Sequence, residues 1–353
     1  MNNAIILTKN YENYRYGSYH HDIVRAFKKK YNCFLYGKDY HGYNIKDTIE
    51  DVIAKSSFQK EKIDLVVVGT SWENQSSSIS ESDPHPDINL SGLKIPKVFF
   101  LNKEYRKIEK KLEYIKRNKF DLVVSAHPKS KLWSKKIGIP FLKSHFAIDK
   151  ERFEELNKLN ISKLYDFGFT GSLHKNHTDT RYKIKCEIFA SPQLKSNLGL
   201  PALFKRNPIN PEYRKYKIYW AEWGTRSLIG KSLSPNGKKY LNFLKKFKIF
   251  LSTLSAENLI GPRFFEIMAS KSLLFIPESE LYDGLFRHGV NCCMFKKDLK
   301  DFKDKLDYYL SYEKERNEIC QNAYQDVIEN HTYDKQIEKI TNIFYGTHSL
   351  LQG

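Results

Sequence analysis

A cation and a carboxylate three residues apart, at the start of a predicted helix, are the side chains of this chain best placed to do chemistry. They lie in the segment Ser252-Thr-Leu-Ser-Ala-Glu-Asn-Leu-Ile-Gly-Pro-Arg-Phe-Phe-Glu-Ile-Met-Ala269, which is entered from an apolar strand. Gly261 followed by Pro262 fits a helix start, because the missing N–H of proline costs nothing at the first helical position. The unpaired N–H groups and positive dipole end of such a helix attract anions, and Arg263 adds a formal charge at the same place. Arg263, Glu266 and Ser270 recur at helical spacing on one face, while Phe264, Phe265, Ile267 and Met268 turn towards the core. Arg263 then suits a phosphate and Glu266 a ribose diol, the order in which a nucleotide presents them. The same pair also reads as an exposed i,i+3 ion pair worth roughly a few tenths of a kcal/mol, and these residues alone do not separate the two readings.

A second turn of interest is Asp166-Phe-Gly-Phe-Thr-Gly-Ser-Leu-His174. Gly171 and Ser172 permit close backbone approach, and His174, Lys175 and Arg181 just beyond can meet phosphate oxygens. Taken alone, this turn reads better as a tight strand-to-helix connection with solvated basic residues.

The elements that must position these residues follow from the hydrophobic pattern. Ala4–Thr8, Cys33–Tyr36, Ile63–Val68, Lys97–Leu101, Asp121–Ser125 and Pro140–Lys143 read as strands, with helical patterns around Ile23–Phe27, Ile45–Ala54, Tyr105–Arg117 and Lys129–Lys136 between them. The continuous β-branched run Ile63–Val68 is that of a strand buried on both faces. Glu73–Ser91, rich in Ser, Asp and Pro, is expected to be a long loop. After Phe153 the alternation restarts, with strands at Tyr165–Thr170, Lys217–Trp220, Phe247–Leu251 and Leu273–Ile276. Helices are predicted at Thr180–Phe189, Lys239–Lys246 and Pro262–Ser270. Leu299 to about Phe344 reads as almost wholly helical, broken near His331-Thr332. Strands alternating with helices need parallel crossovers covering both sheet faces, so the expectation is two doubly wound α/β domains in tandem. They are drawn at residues 1–155 and 156–353, with the last helix free to cross back to the first domain. In such sheets ligands bind outside the carboxyl ends of the strands, where both turns above lie.

The run Arg263-Phe-Phe-Glu266-Ile-Met-Ala-Ser, then Leu273-Leu-Phe-Ile, Tyr282-Asp-Gly-Leu-Phe and Gly289-Val-Asn, resembles the C-terminal lobe of glycosyltransferase group 1, particularly its CgeB-like branch. The Asp166–Ser172 turn and the ending Glu329-Asn-His-Thr-Tyr333 extend the resemblance to about half the chain; the N-terminal half matches in pattern. The resemblance implies a GT-B fold, two Rossmann-like lobes facing across a cleft, and sugar transfer from a nucleotide sugar without a metal ion. It implies a donor site in the C-terminal lobe formed by Gly171, Ser172, His174, Lys175, Glu257, Asn258, Gly261, Arg263 and Glu266. Glu266 corresponds to the second glutamate of the family's Glu-x7-Glu motif, which binds the ribose. The first position of that motif is Asn258 here, with Glu257 beside it, so the departure falls on the sugar contact. The first lobe is left to supply the acceptor site, for a glycan or lipid-linked hydroxyl, and any general base. The Tyr14–Tyr19 loop, Thr70–Glu73, Asn102–Glu104, His127 and His145 follow strand ends, and His127 comes first because imidazole titrates near neutral pH.

Composition bounds the partners. With 353 residues, 41% hydrophobic and 28% charged, the chain is long enough for two cores and unlike a disordered one. A net charge of +18 attracts nucleic acid, anionic lipid or phosphorylated small molecules. The basic residues are spread through helical patterns, as in Lys103–Lys111 and Lys245–Lys248, and no nucleic-acid-binding motif appears. A nucleic-acid binder and a non-catalytic scaffold of the same fold therefore rank below the transferase. Five cysteines without CxxC or zinc spacing predict neither a disulfide framework nor a metal site, and hence a reducing, cytoplasmic setting. The N-terminal apolar run is too short for a signal peptide, and no stretch reaches the roughly 18 apolar residues of a membrane span. Any contact with an anionic membrane is expected to be peripheral.

Overall fold

The computed structural model describes residues 2–11, 18–70, 88–104, 107–171, 173, 180–189, 210–222, 238–255, 257–282 and 284–346. The chain divides into two units, one formed by Met1–Asp149 with Thr332–Gly353, the other by Lys150–His331.

In the first unit the strands are β1 (Asn2–Leu7), β2 (Tyr31–Tyr36), β3 (Ile63–Val68), β4 (Lys97–Phe100), β5 (Leu122–Ser125) and β6 (Phe141–Lys143). They lie in the order β2-β1-β3-β4-β5-β6, every pair parallel. Alternate residues serve opposite faces. Ile5, Leu7, Val66, Val68, Phe99 and Val123 meet α2 (Ile49–Ser56), α3 (Ile108–Arg117) and α4 (Ser130–Ile137). Ala4, Ile6, Leu65, Val67, Val98 and Val124 meet α1 (Ser18–Lys30) and Tyr333, Ile337 and Ile340. Those last three residues belong to the helix after His331, so the end of the described chain completes the first unit's core. The return is tied down by an isolated parallel bridge between Ile148 and Thr332, and by Thr332 capping the helix through Lys335 N–H.

The second unit holds β7 (Tyr165–Gly171), β8 (Ile218–Glu222), β9 (Phe247–Leu251), β10 (Leu273–Pro277) and β11 (Cys293–Phe295), in the order β11-β10-β9-β7-β8, again all parallel. Phe167, Phe169, Ile249, Leu251, Phe275 and Phe295 pack against α6 (Thr180–Phe189) and α9 (Phe302–Ser311). The helix α8 (Pro262–Ala269) packs on both α7 (Lys238–Leu244) and α10 (Glu313–Asn330), with α5 (Lys150–Lys158) preceding the sheet and α11 (Tyr333–Tyr345) following in the first unit. The phenyl ring of Phe247 fills the place beside Gly168, where a Cβ would stand 2.3 Å from two of its carbons.

The parallel, doubly wound pattern expected from the sequence is present in both sheets. Three details differ. The strand β11 and the helix α5 were not expected, and the C-terminal helical stretch breaks at Tyr312 as well as at His331. Most of the expected Glu73–Ser91 loop lies outside the described residues. All five cysteines are free thiols.

Candidate active site

Each sheet has one topological switch point, where the chain leaves a strand in one direction and later returns on its other side; crevices for ligands open there, beyond the carboxyl ends. In the second unit it lies between β7 and β9. The exits of these two strands carry both turns singled out in the sequence.

The exit of β9 is held from α6. Arg181 Nη2 donates to the carbonyls of Thr253 (3.2 Å) and Leu254 (2.9 Å), and Nε to Thr253 Oγ1. Arg181 thus positions the loop through contacts to the protein. The loop then closes on itself, with Ser255 N–H donating to Leu259 O and Asn258 N–H to Ser255 O, each at 3.0 Å. Asn258 takes a φ of 58° in this turn, a left-handed conformation that asparagine tolerates far better than glutamate. A turn residue at this position accounts physically for the departure from Glu-x7-Glu. Glu257 and Asn258 are both exposed.

The helix α8 begins at Gly261, with Pro262 in its first turn and no side chain capping it. Phe264, Phe265, Ile267 and Met268 are buried, which turns Arg263 and Glu266 to the other side, where both are half-buried rather than exposed. Ser270 is wholly buried and donates to the Glu266 carbonyl at 2.7 Å, so it belongs to the helix end and not to the polar face. Arg263 Nη1 donates to the carbonyl of Thr170, the penultimate residue of β7, and Nε donates to the hydroxyl of Tyr240 at 2.9 Å. That hydroxyl is also hydrogen-bonded to Glu266. The structure therefore brings Arg263, Glu266 and the Gly171 turn to one place, joined by Tyr240, which no motif or spacing marks. Gly171 leaves room for the guanidinium, since a Cβ there would stand 3.0 Å from Arg263 Nη1. Beside it Thr170 is 1% exposed, and its hydroxyl has no hydrogen-bond partner among the described residues. Such a group costs about 1–3 kcal/mol, a cost that a ligand oxygen at the switch point would remove. Ser172, His174 and Lys175 lie outside the described residues.

His127 belongs to the first unit, whose switch point lies between β1 and β3. Its backbone N–H donates to Ser125 Oγ (3.1 Å), and that hydroxyl donates to Glu104 Oε1 (2.9 Å). Burial pushes the Glu104 carboxyl above its ordinary pKa. The imidazole of His127 lies against Trp133, with ring centroids 4.6 Å apart, and its Nδ1 accepts from Lys129 N–H at 3.0 Å. The neutral ring consequently carries its proton on Nε2, which suits a hydrogen-bond donor better than a base.

His20 was not singled out from the sequence, yet it sits at the first switch point, its Nδ1 hydrogen-bonded to Thr70 Oγ1 and its ring stacked on Tyr11 at 4.2 Å. Burial, with Lys103 nearby, lowers its pKa from 6.5 to about 3. The folded state therefore holds this ring neutral while the unfolded chain protonates it. The resulting stability is fully present above pH 6.5 and is lost as pH falls towards 3. Between pH 7 and pH 4 the wild type is expected to lose up to about 3 kcal/mol more stability than His20→Phe, read by denaturant unfolding at each pH. Equal losses in the two proteins would show that His20 is not held neutral.

A family model described as glycosyl transferase-like matches residues 199–342, which include α7, β9, α8 and the Arg263–Glu266 pair. The match takes in the β9 side of the second sheet's switch point, and the two parallel-sheet units have the fold of GT-B glycosyltransferases. Solved structures of this fold include an α-glucosyltransferase in complex with UDP-glucose and DNA containing an abasic site, with a TM-score of 0.59, 11% identity and coverage of 98% of this chain and 99% of that one. HepE of Anabaena, in complex with UDP-glucose, gives 0.55 at 12% identity over 97% and 99%. The sucrose-phosphate synthase of Thermosynechococcus elongatus gives 0.51 at 9% identity over 97% and 98%. At these identities the likeness is one of fold. No curated protein matches the sequence. Among the described residues no helix is long and apolar enough to cross a membrane, and no three His, Cys, Asp or Glu side chains gather as a metal would require.

Proposed function

We propose that the chain transfers a sugar from a nucleotide-sugar donor, a UDP-sugar first among them, to a hydroxyl of a glycan, polysaccharide or lipid-linked acceptor, without a metal ion. The observation that carries this reading is the convergence at the second switch point: Arg263 laid across the end of β7, the uncapped start of α8, and the buried Thr170 hydroxyl without a partner among the described residues. In this reading the diphosphate meets Arg263 and the first N–H groups of α8, the ribose diol donates to Glu266, and Gly171 lets the backbone come close. As the glycosidic bond to the leaving phosphate breaks, negative charge grows on the diphosphate, so a cation already in place stabilises the transition state more than the bound donor. HepE and the α-glucosyltransferase, which share the fold, both hold UDP-glucose, and this favours uridine as the base.

The test is a thermal-shift panel of UDP-, GDP-, ADP- and CMP-sugars. A ligand that binds only the folded state at a hundredfold excess over Kd adds about 2.7 kcal/mol, which raises Tm by roughly 5–10 °C in a unit of this size. A UDP-sugar is expected to give that shift without added metal. No shift with any member of the panel would overturn the reading.

A further inference from the structure

Tyr240 has one hydroxyl and two charged neighbours. It accepts from Arg263 Nε at 2.9 Å, and the guanidinium also lies 5.9 Å from the centre of its ring. Having accepted from the arginine, the hydroxyl has its own proton left to give, and Glu266 takes it. Burial is the main reason the phenol is pushed up to about 12, so it remains a donor to Glu266 at any working pH. The second anchor of Arg263 is the Thr170 carbonyl, on the strand rather than on a helix. Contacts on Nε and Nη1, made from two different elements, fix the plane of the guanidinium, and its remaining N–H groups have no partner among the described residues. A long side chain at the first turn of a helix would otherwise sample many rotamers.

We infer that Tyr240 is a positioning residue of the donor site: its hydroxyl sets the plane of Arg263 and the carboxylate of Glu266 together, so that the diphosphate and the ribose of one nucleotide are met in a single geometry. The inference rests on the donor reading proposed above. It assigns to α7 a part in the chemistry although Tyr240 reaches the ligand only through its two neighbours. A transition state is more sensitive than a bound ground state to small misplacement of a charge, so the hydroxyl should matter more to kcat than to folding.

Tyr240→Phe removes one oxygen and keeps the ring that packs between α7 and α8. Its Tm is expected within about 3 °C of the wild type, with kcat lowered about tenfold or more. The decisive comparison is a cycle with Arg263→Ala. If Tyr240 acts through its two neighbours, adding Tyr240→Phe to Arg263→Ala lowers kcat by clearly less than it does in the wild type, the remainder falling on Glu266. Wild-type kcat in Tyr240→Phe, or losses that multiply in the double variant, would overturn the inference. Failure of the donor reading shows itself separately, as a wild-type protein that neither turns over nor is stabilised by any nucleotide sugar, and it takes this inference with it.

Discussion

Arg263→Ala is expected to lower kcat by roughly 10²–10³, the cost of removing a charge-stabilising donor from a preorganised site, with a smaller change in donor KM. The structure explains why the loss should fall on turnover. Arg263 is already held by Thr170 and Tyr240, so on the donor reading its charge would stand at the end of β7 before a leaving diphosphate develops its own. Arg263→Lys should recover little, because a single ammonium cannot reproduce a planar fork bonded on one side and open on the other. Steady-state kinetics with saturating acceptor measure both variants. Unchanged kcat with only a raised donor KM would mean that Arg263 binds the donor without assisting bond breaking.

Gly168→Ala is expected to destabilise the second unit by about 2–3 kcal/mol and to lower its Tm by roughly 4–10 °C in calorimetry. The cause is overpacking and not backbone strain. Phe247 is wholly buried among Tyr165, Phe243 and Phe250, with ring centroids 5.0, 4.8 and 4.8 Å away, so it has nowhere to retreat from a new methyl group. Phe247→Leu should relieve part of the penalty, so the double variant is expected to be more stable than the sum of the two single losses. Strict additivity would show that the ring is not what excludes a side chain at Gly168. Because β7 and β9 flank the switch point, the same substitution should also weaken donor binding.

Legibility differed between elements for physical reasons. Ile63–Val68 announced itself as a buried parallel strand because five of its six residues are apolar and mostly β-branched. Its counterpart β11 is three residues long, Cys-Met-Phe, and too short for any periodicity to register. In α5 only Phe153 and Leu156 are buried, so its pattern is nearly all polar and conveyed no helix. In the site, Arg263 and Glu266 were visible because an i,i+3 pair after Gly-Pro has a direct chemical meaning. What remained undecided, ligand site or surface ion pair, depended on burial and on a third residue. Tyr240 lies in Lys-Lys-Tyr-Leu-Asn-Phe-Leu, where an aromatic residue at helical spacing reads as core, and its link to Arg263 spans 23 residues. His20 was hidden for the same reason, since its partner Thr70 is 50 positions away.

The path of the chain has a consequence for its birth on the ribosome. Residues of the second unit run without interruption from Lys150 to His331, whereas the first unit needs both the opening stretch and α11. Emerging in order, the first sheet appears with the strip later covered by Tyr333, Ile337 and Ile340 still bare. The second unit then has all its strands and helices in hand before that strip is covered. The unit of residues 1–149 is thus finished only after the second, and for the length of that domain the apolar strip its last helix covers stays open to a chaperone.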